Sequence, residues 1–243
     1  MKKRLSFVAI LAAMVLMVPL AASAGQFTLH PSGFGPHSYA SWKAGEGLPD
    51  SNGNKSQALY MQKFTTTPTT AAGVVLIKGF EGMPASELTG LAWDHREDGH
   101  CGAGAPRWNI GLTLPNGTQT TAFLGCNAAQ HTQLAASTNG HGWCMDTQPS
   151  AAIPTQGTIR YLAIVFDEGN DTANPPPAGC TQETLTPGGF VFLDNITVQA
   201  DGVTHTWTSA SDNGNGGTTS ANTTLTADQL QQQLGFPLVD LLH

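Results

Sequence analysis

The stretch WNIGLTLPNGTQTTAFLG (Trp108–Gly125) contains two runs of apolar and β-branched residues on either side of Asn116-Gly117. Asn and Gly both tolerate positive φ, and such a pair between two strand-like runs is a strong signal for an antiparallel hairpin. Asp201-Gly202 repeats this signal between Val198 and Val203. The two pairs together predict strands that are joined antiparallel.

Runs of the same kind recur along the chain and are bounded by Gly, Pro and Asn clusters. No helical period is visible until the end of the chain. Many short strands with turns between them predict an all-β fold, an antiparallel jelly-roll-like β-sandwich over residues 25–208 with a short C-terminal helical tail. The predicted strands are Ala58–Phe64, Gly73–Gly79, Leu88–His95, Trp108–Leu114, Thr120–Gly125, Ile159–Phe166, Phe190–Val198 and Val203–Trp207.

One predicted strand has an irregular pattern at Asp194-Asn195. Strict alternation would place Leu193 on the opposite face from Ile196 and Val198. One extra residue at positions 194–195 would return all three apolar side chains to the core, which is what a β-bulge does. We therefore predict a bulge here, and a bulge re-aims side chains such as that of Asp194.

The two ends of the chain differ from the middle. Three basic residues, an apolar run at Phe7–Leu20 and the sequence Ala22-Ser23-Ala24 predict a signal peptide over residues 1–24 and a secreted protein, extracellular or periplasmic. Residues 209–224 are predicted to form a polar linker or surface loop. Thr226 and Gln229 form a capping-box pattern that opens a short helix within the apolar tail, residues 225–243. The tail either docks on its own sandwich or engages a partner.

Charge excludes some partners. The chain has 10 Lys and Arg against 17 Asp and Glu, a net charge of −7, and the predicted signal peptide carries three of the basic residues and no acidic one. The mature chain is therefore more acidic still, which argues against nucleic acid and anionic membrane surfaces as partners. No later apolar run approaches the ~18 residues of a membrane-spanning helix.

Four cysteines remain in the predicted mature chain, and an even number in an exported protein predicts two disulfides. Pairing across the Asn116-Gly117 hairpin places Cys126 opposite Arg107. The small residues of HCGAGAPRW (His100–Trp108) would let the chain turn and bring Cys101 to the same end. We therefore predict Cys101–Cys126, which leaves Cys144–Cys180.

The same loop has functional alternatives to this stapled turn. Arg107 would bond loop carbonyls or meet Asp94 or Asp98, and it is also a candidate ligand contact. A zinc site is the other alternative, although the two regularly spaced ligand pairs typical of zinc are missing. Its candidate ligands are His95, Asp98, His100, Cys101 and His141.

Calcium is the better candidate cofactor, in a structural role. Asp167, Glu168 and Asp171 lie together after a predicted strand and offer the hard oxygen ligands that calcium takes. The spacing is not that of an EF-hand, and a solvated acidic turn is the alternative.

Signatures of catalysis are mostly absent, since the chain contains neither G-x-S-x-G nor H-E-x-x-H. Asp94, His95 and Glu97 remain as weak catalytic candidates, although a charged turn at a strand end explains them equally well.

Sugar binding requires exposed aromatic faces with polar groups nearby. Trp42 and Trp143 lie in polar, glycine-rich surroundings, and Tyr39 lies three residues before Trp42. These three are the candidate ligand platform, with core or disulfide packing as the alternative for the two tryptophans. The remaining tryptophans lie in predicted strands and are assigned to the core: Trp93, Trp108 and Trp207.

Two resemblances add to this interpretation. The turn with the pattern CGxGAPR-aromatic (Cys101–Trp108), Gly125-Cys126, the strand end Asp167-Glu168-Gly169 and the closing LDNI (Leu193–Ile196) together resemble a group of uncharacterised secreted bacterial β-sandwich proteins. This resemblance covers about residues 88–198 and implies no activity. The closing strand is also similar to that of jelly-roll carbohydrate-binding modules, which implies a structural calcium held by Asp194.

Three functions remain open on these observations. A secreted, non-catalytic protein that binds a polysaccharide or a cell-surface glycan is the leading hypothesis, because the fold class suits it and catalytic signatures are missing. A structural or cell-surface interaction protein is the first alternative. An enzyme acting on extracellular polymers is the second.

Overall fold

A computed structural model describes residues 27–49, 56–173, 177–181, 183, 188–212 and 225–242, with the backbone alone at 136 and 137. The predicted signal peptide and residues 213–224 of the predicted linker lie outside the described residues. The division of the chain into sandwich, linker and tail thus stays a prediction.

Two antiparallel sheets form the molecule. The first sheet has the order β1-β4-β10-β6-β7, and the second has the order β2-β3-β11-β5-β9-β8, with β12 paired to β11. The strands are β1 (Thr28–Phe34), β2 (Ser38–Lys43), β3 (Ala58–Lys63), β4 (Ala72–Lys78), β5 (Leu88–Arg96), β6 (Arg107–Thr113), β7 (Gln119–Gly125), β8 (Gln130–Thr138), β9 (His141–Thr147), β10 (Thr158–Phe166), β11 (Phe190–Ala200) and β12 (Val203–Trp207).

The strand order confirms the predicted β-sandwich and its jelly-roll character. Four strands of the second sheet, β3-β11-β5-β9, face four of the first, β4-β10-β6-β7, so that the chain alternates between the sheets as two Greek keys do. The remaining strands extend the edges.

All eight predicted strands are present, and four further strands went unpredicted. β1 contains Pro31 and Gly33, which are depleted in strands, and it lies at the edge of its sheet, where a proline is tolerated. β8 is also an edge strand, and its sequence is rich in Gln, Thr and Ser. Edge strands are exposed on one side, so their sequences lack the hydrophobic run that marks a central strand.

The main core lies between the two sheets. Trp93 from β5 and Trp108 from β6 stack across the interface with ring centroids 5.0 Å apart. Both are fully buried, as is Trp207, so the assignment of these three tryptophans to the core is confirmed. Aromatic pairs of this kind contribute about 0.5–1.5 kcal/mol beyond their buried area.

The predicted turns and bulge are confirmed. Asp201 and Gly202 both have positive φ, 49° and 70°, as a type I′ hairpin requires, and Gly117 has a φ of 84°. The register of β11 shifts between Asp194 and Thr197. As the bulge predicts, the apolar side chains on both sides of it enter the core: Leu193, Ile196 and Val198.

The short helix α1 (Ala227–Leu234) begins with the predicted capping box at Thr226 and ends at Gly235, whose φ is 74°. Apolar side chains of the tail pack on the outer face of the first sheet: Leu225, Leu230, Leu238 and Leu241. Within the described residues, no helix has the length and hydropathy needed to cross a membrane.

Candidate functional site

Both disulfides join the predicted partners, Cys101 to Cys126 and Cys144 to Cys180, with Cα–Cα distances of 5.2 and 6.0 Å. The loop between Cys101 and Arg107 bonds back onto the end of its own hairpin. Cys126 N–H donates to Pro106 O at 2.9 Å, and Asn127 N–H donates to Gly102 O at 3.1 Å. The loop is thus a stapled turn.

The glycines of this loop leave room for Glu168. A Cβ atom at Gly102 would lie 2.4 Å from Glu168 Oε2, and one at Gly104 would lie 2.6 Å from Glu168 Oε1. Glu168 accepts from His100 Nε2 and, at 3.1 Å, from Gly104 N–H. Burial raises the pKa of Glu168, but the bond and charge of His100 outweigh burial and hold it below its ordinary value.

Arg107 is part of the same structural network, and its side chain is 1% exposed. It forms a bidentate pair with Asp167 and donates to Gly104 O at 2.6 Å and to Leu241 O at 2.9 Å. The prediction that it bonds loop carbonyls is therefore confirmed, but its carboxylate partner is Asp167, not Asp94 or Asp98. All of these partners lie within the fold, so the observed role of Arg107 is structural, and its contact with a ligand stays a prediction.

The predicted calcium ligands, three in the turn after β10 and Asp194 separately on β11, each have protein partners. Asp167 pairs with Arg107 and Glu168 with His100, while Asp171 accepts from Thr67 N–H and Oγ1 at 2.7 and 2.8 Å. Asp194 accepts from Leu48 N–H and Asn195 N–H, both at 2.7 Å. In the described part of the chain, the groups with metal-ligand geometry contain none of these four.

The zinc alternative is also not assembled. His95 Nδ1 lies 2.6 Å from buried Asp146, and His100 bonds Glu168. His141 Nδ1 lies 2.7 Å from Glu183 Oε2 and 3.7 Å from Asp98 Oδ2. The three predicted imidazole ligands therefore belong to three different contacts.

The weak catalytic candidates, two on β5 and Glu97 directly after it, point to different surroundings. His95 faces the core, whereas Asp94 lies on the outer face of the second sheet, where it accepts from Asn195 Nδ2 at 2.6 Å. Glu97 is buried and accepts from Gln133 Nε2. Burial raises the pKa of Asp94 to about 6. The alternation of β5 thus separates Asp94 from His95, and Glu97, beyond the end of the strand, has a third set of contacts.

The two candidate tryptophans are not an exposed platform. Trp143 is completely buried in a small cluster on the outer face of the second sheet, where it packs with Leu48, Ala58 and Phe192. Trp42 is paired with Leu59, faces the inter-sheet core and is half-buried. The predicted exposure of Trp143 is wrong, because Leu48, Ala58 and Phe192 pack around it. Trp42 is only partly exposed and packs against the inter-sheet core, so core packing, the alternative left open by the sequence, describes both residues better.

An aromatic groove does lie on this outer face. Tyr60, Phe190 and Phe192 form its floor, and their ring centroids lie 4.7–6.2 Å apart. The register explains this, because Tyr60 is opposite Phe192 and Gln62 is opposite Phe190, while the alternate residues Leu59 and Leu193 face the core. The groove has a volume of about 470 Å³ and is lined by Lys43, Ala44, Glu46, Tyr60, Phe64, Arg96, Asp98, Phe190 and Phe192.

Charged groups flank the aromatic floor in fixed positions. The Arg96 guanidinium lies 3.6 Å from the Phe192 ring centroid. It is held there by hydrogen bonds from Nε and Nη2 to the Asp98 carboxylate, at 2.7 and 3.0 Å, and from Nη1 to Glu46 Oε2 at 2.5 Å. A cation over an aromatic face in such a network is both attractive and well positioned. The groove therefore offers carboxylate acceptors beside a planar apolar surface.

The rim of the groove is also aromatic. Tyr39 is 38% exposed and its ring lies 5.8 Å from that of Tyr60, while Phe64 is 44% exposed. Lys43 Nζ lies 5.4 and 5.8 Å from the Tyr39 and Tyr60 rings. Burial raises the pKa of Tyr60 to about 12, so its hydroxyl stays neutral. Tyr39 does not line the groove but lies beside Tyr60 of its floor, and its role in ligand binding stays a prediction.

A polar groove of about 480 Å³ lies further along the same face. Gly90 and Ala92 on β5 are opposite Gln199 and Thr197 on β11, and Thr147 on β9 is opposite Ala92. Arg96, in the aromatic groove, is six residues from Gly90 on the same strand, a span of roughly 20 Å at the rise of a β-strand. The polar groove is lined by Thr89, Gly90, Leu91, Ala92, Gln130, Thr147, Gln148, Pro149, Ser150, Ala151, Thr197 and Gln199.

The residues of the aromatic groove were missed at the sequence level. Alternation within β11 already indicated that Phe190 and Phe192 lie on the face opposite Val191 and Leu193. What the sequence does not contain is the pairing of β11 with β3, which brings in Tyr60. Strand neighbours so distant in sequence have no local signal.

Comparisons with known proteins do not assign a family. No protein-family model matches the chain, and no curated protein matches it. Among solved structures, it is similar to the C-terminal family 22 carbohydrate-binding module of a Clostridium thermocellum protein, with 13% identity, 75% of this chain and 90% of that chain covered and a TM-score of 0.33. It is also similar to the family 11 carbohydrate-binding module of a Clostridium thermocellum cellulosomal cellulase, with 14% identity, 71% and 88% covered and a TM-score of 0.35. No function is transferred from likenesses at this level.

Proposed function

We propose that this protein is a secreted, non-catalytic protein that binds extracellular glycans through the aromatic groove. The observation that carries the proposal is the floor of Tyr60, Phe190 and Phe192 beside the positioned Arg96 and Asp98. Sugar rings offer apolar C–H faces that pack on aromatic side chains and hydroxyls that bond carboxylate and guanidinium groups. Secretion is proposed from the signal-peptide pattern of the sequence.

The polar groove supports an extended ligand. Its Thr, Gln and Ser side chains can donate and accept hydrogen bonds with neutral hydroxyls. Because it continues the same face of β5 and β11, an oligosaccharide rather than a single sugar suits the roughly 20 Å between the two grooves.

A structural or cell-surface interaction protein is the second candidate. The exposed rings of Tyr39 and Phe64 favour it, because aromatic residues are enriched at protein interfaces. The apolar tail does not add to this candidate, since its leucines are buried on the first sheet.

A glycan array with the full chain, followed by calorimetry on the best ligands, tests the proposal. We expect Tyr60→Ala and Phe190→Ala to weaken binding at least about tenfold, or about 1.4 kcal/mol, with the fold intact by circular dichroism. Phe123→Ala is the matched control, because Phe123 is a 42% exposed aromatic residue on the first sheet, away from the groove.

Three outcomes contradict the proposal: no binding at millimolar glycan, equal losses in the groove and control variants, or new reducing ends on the bound glycan. A parallel arm with a calcium chelator tests the calcium prediction, which requires that chelation lower the affinity or the thermal stability.

A further inference from the structure

A buried polar cluster lies between the two disulfides, away from the aromatic groove. Asp146 is 1% exposed and uses both carboxylate oxygens. Its Oδ2 accepts from Trp93 Nε1 at 2.8 Å and from His95 Nδ1 at 2.6 Å, and its Oδ1 accepts from His131 Nδ1 at 2.7 Å.

Each disulfide lies beside one oxygen of this carboxylate. The sulfur of Cys126 is 3.3 Å from Asp146 Oδ2. Two groups of ligand atoms, each within 4.8 Å of one another, share Asp146: His95, Cys101 and Cys126 on one side, and His131, Cys144 and Cys180 on the other. The zinc alternative of the sequence shared His95 and Cys101 with the first group, but it contained neither Asp146 nor His131.

We propose that the disulfide-reduced chain binds two zinc ions, each held by two cysteine thiolates and one histidine, with Asp146 as the bridging ligand between them. The ligand atoms around tetrahedral zinc lie about 3.3–3.8 Å apart, given zinc–ligand distances of 2.0–2.3 Å. The ligand atoms of each group lie within 4.8 Å of one another, so the sulfur atoms must separate and the more distant atoms must approach by about 1 Å to reach that spacing. Two thiolates, one imidazole and one carboxylate are a ligand set that zinc prefers.

Charge favours the same arrangement. Two zinc ions against four thiolates and one carboxylate leave a single negative charge. In the oxidised core the two disulfides are neutral, as the four thiolates and two zinc ions are together, so the Asp146 carboxylate is counted once in both states. The exchange of disulfides for metal therefore adds no net charge to the buried site, which would otherwise be costly.

The redox step balances with a dithiol as reductant. Each protein disulfide takes two electrons and two protons and becomes two thiols, while the dithiol is oxidised to its own disulfide. Zinc binding then displaces the two thiol protons at each site. Cys180 is partly exposed, whereas Cys101 and Cys126 are buried, so we expect the Cys144–Cys180 site to open and load first.

The test uses cobalt(II), which reports tetrahedral thiolate ligation by its visible absorption. The full chain is reduced under nitrogen with a phosphine, which replaces the dithiol, takes oxygen from water and becomes the phosphine oxide as each disulfide becomes two thiols. On titration we expect two equivalents of cobalt with thiolate charge-transfer bands, displaced by zinc. Circular dichroism of the same samples follows the fold. The oxidised chain is the first control, and we expect it to give no thiolate bands.

Three variants assign the ligands. Cys144→Ser with Cys180→Ser lowers the uptake from two equivalents to one, as does Cys101→Ser with Cys126→Ser. Asp146→Asn weakens cobalt binding at both sites by at least tenfold. The proposal is overturned if the reduced chain binds no tetrahedral cobalt, whether folded or unfolded. It is also overturned if one cysteine pair accounts for all uptake or if Asp146→Asn binds as the wild type does.

Discussion

Arg107→Met is expected to destabilise the fold strongly, because the side chain links three parts of the molecule. Arg107 pairs bidentately with Asp167 at the end of β10, bonds Gly104 O in the stapled loop and bonds Leu241 O in the tail. Asn109 Nδ2 also donates to Leu241 O at 2.9 Å, so that carbonyl keeps one donor in the variant. The main loss is therefore the partner of the buried Asp167 carboxylate.

Removing one partner of a buried ion pair costs about 3–5 kcal/mol, because the other charge is left in a poorly hydrated site. The Asp167 side chain is 10% exposed and regains some hydration, which places the expected cost at the low end, about 3 kcal/mol. At about 2–4 °C per kcal/mol for a chain of this size, the melting temperature should fall by roughly 6–12 °C.

Urea denaturation of four proteins measures this effect: wild type, Arg107→Met, Asp167→Leu and the double variant. We expect the double variant to recover most of the lost free energy of unfolding, because two apolar side chains leave no unpaired charge. Asn109→Ala is the matched control: it removes two hydrogen bonds, from Arg107 Nε and to Leu241 O, but keeps the Arg107–Asp167 ion pair, and it should lower the free energy of unfolding by about 2 kcal/mol. The reasoning fails if Arg107→Met costs less than about 1 kcal/mol, or if the two single losses simply add in the double variant.

Three further substitutions test other parts of the structure. Gly102→Ala should lower the free energy of unfolding by about 1–3 kcal/mol, because the added Cβ would lie 2.4 Å from atoms of Glu168 and His100. Ala103→Ser, at the exposed tip of the same loop, should change it little. Equal urea midpoints for the two variants would contradict this prediction. Trp143→Ala should lower the free energy of unfolding by about 3–5 kcal/mol, as the removal of a fully buried aromatic side chain does. A variant with wild-type stability but no glycan binding would contradict the burial of Trp143. Burial raises the pKa of Asp94 to about 6 from an unfolded value near 3.8. Between these pH values the folded chain therefore binds more protons than the unfolded chain. Asp94 thus lowers the free energy of unfolding as pH rises from about 4 to 6, by roughly 3 kcal/mol at most. Denaturation of Asp94→Asn across this range should show a smaller fall than the wild type, and identical pH profiles would contradict the raised pKa.

Local signals in the sequence determined much of the fold. The Asn116-Gly117 and Asp201-Gly202 pairs predicted their hairpins because such turns need positive φ at residues that tolerate it, as Gly117, Asp201 and Gly202 show. The apolar spacing around Asp194-Asn195 predicted the bulge. The disulfide pairing followed from the hairpin register, which placed Cys126 beside the loop of Cys101. Each of these predictions depended on residues that are close in sequence or joined by one turn.

Exposure of the aromatic side chains was decided by tertiary structure alone. Trp143 has polar neighbours in the sequence but is covered by Leu48, and Trp42 turns inward on β2. The aromatic groove forms because β3 and β11, more than a hundred residues apart, pair with Tyr60 opposite Phe192. A strand's own pattern shows which side chains share a face, but not which strand lies beside it or which loop covers it. Those contacts are set by the packing of the whole sandwich, and the candidate binding surface depends on them.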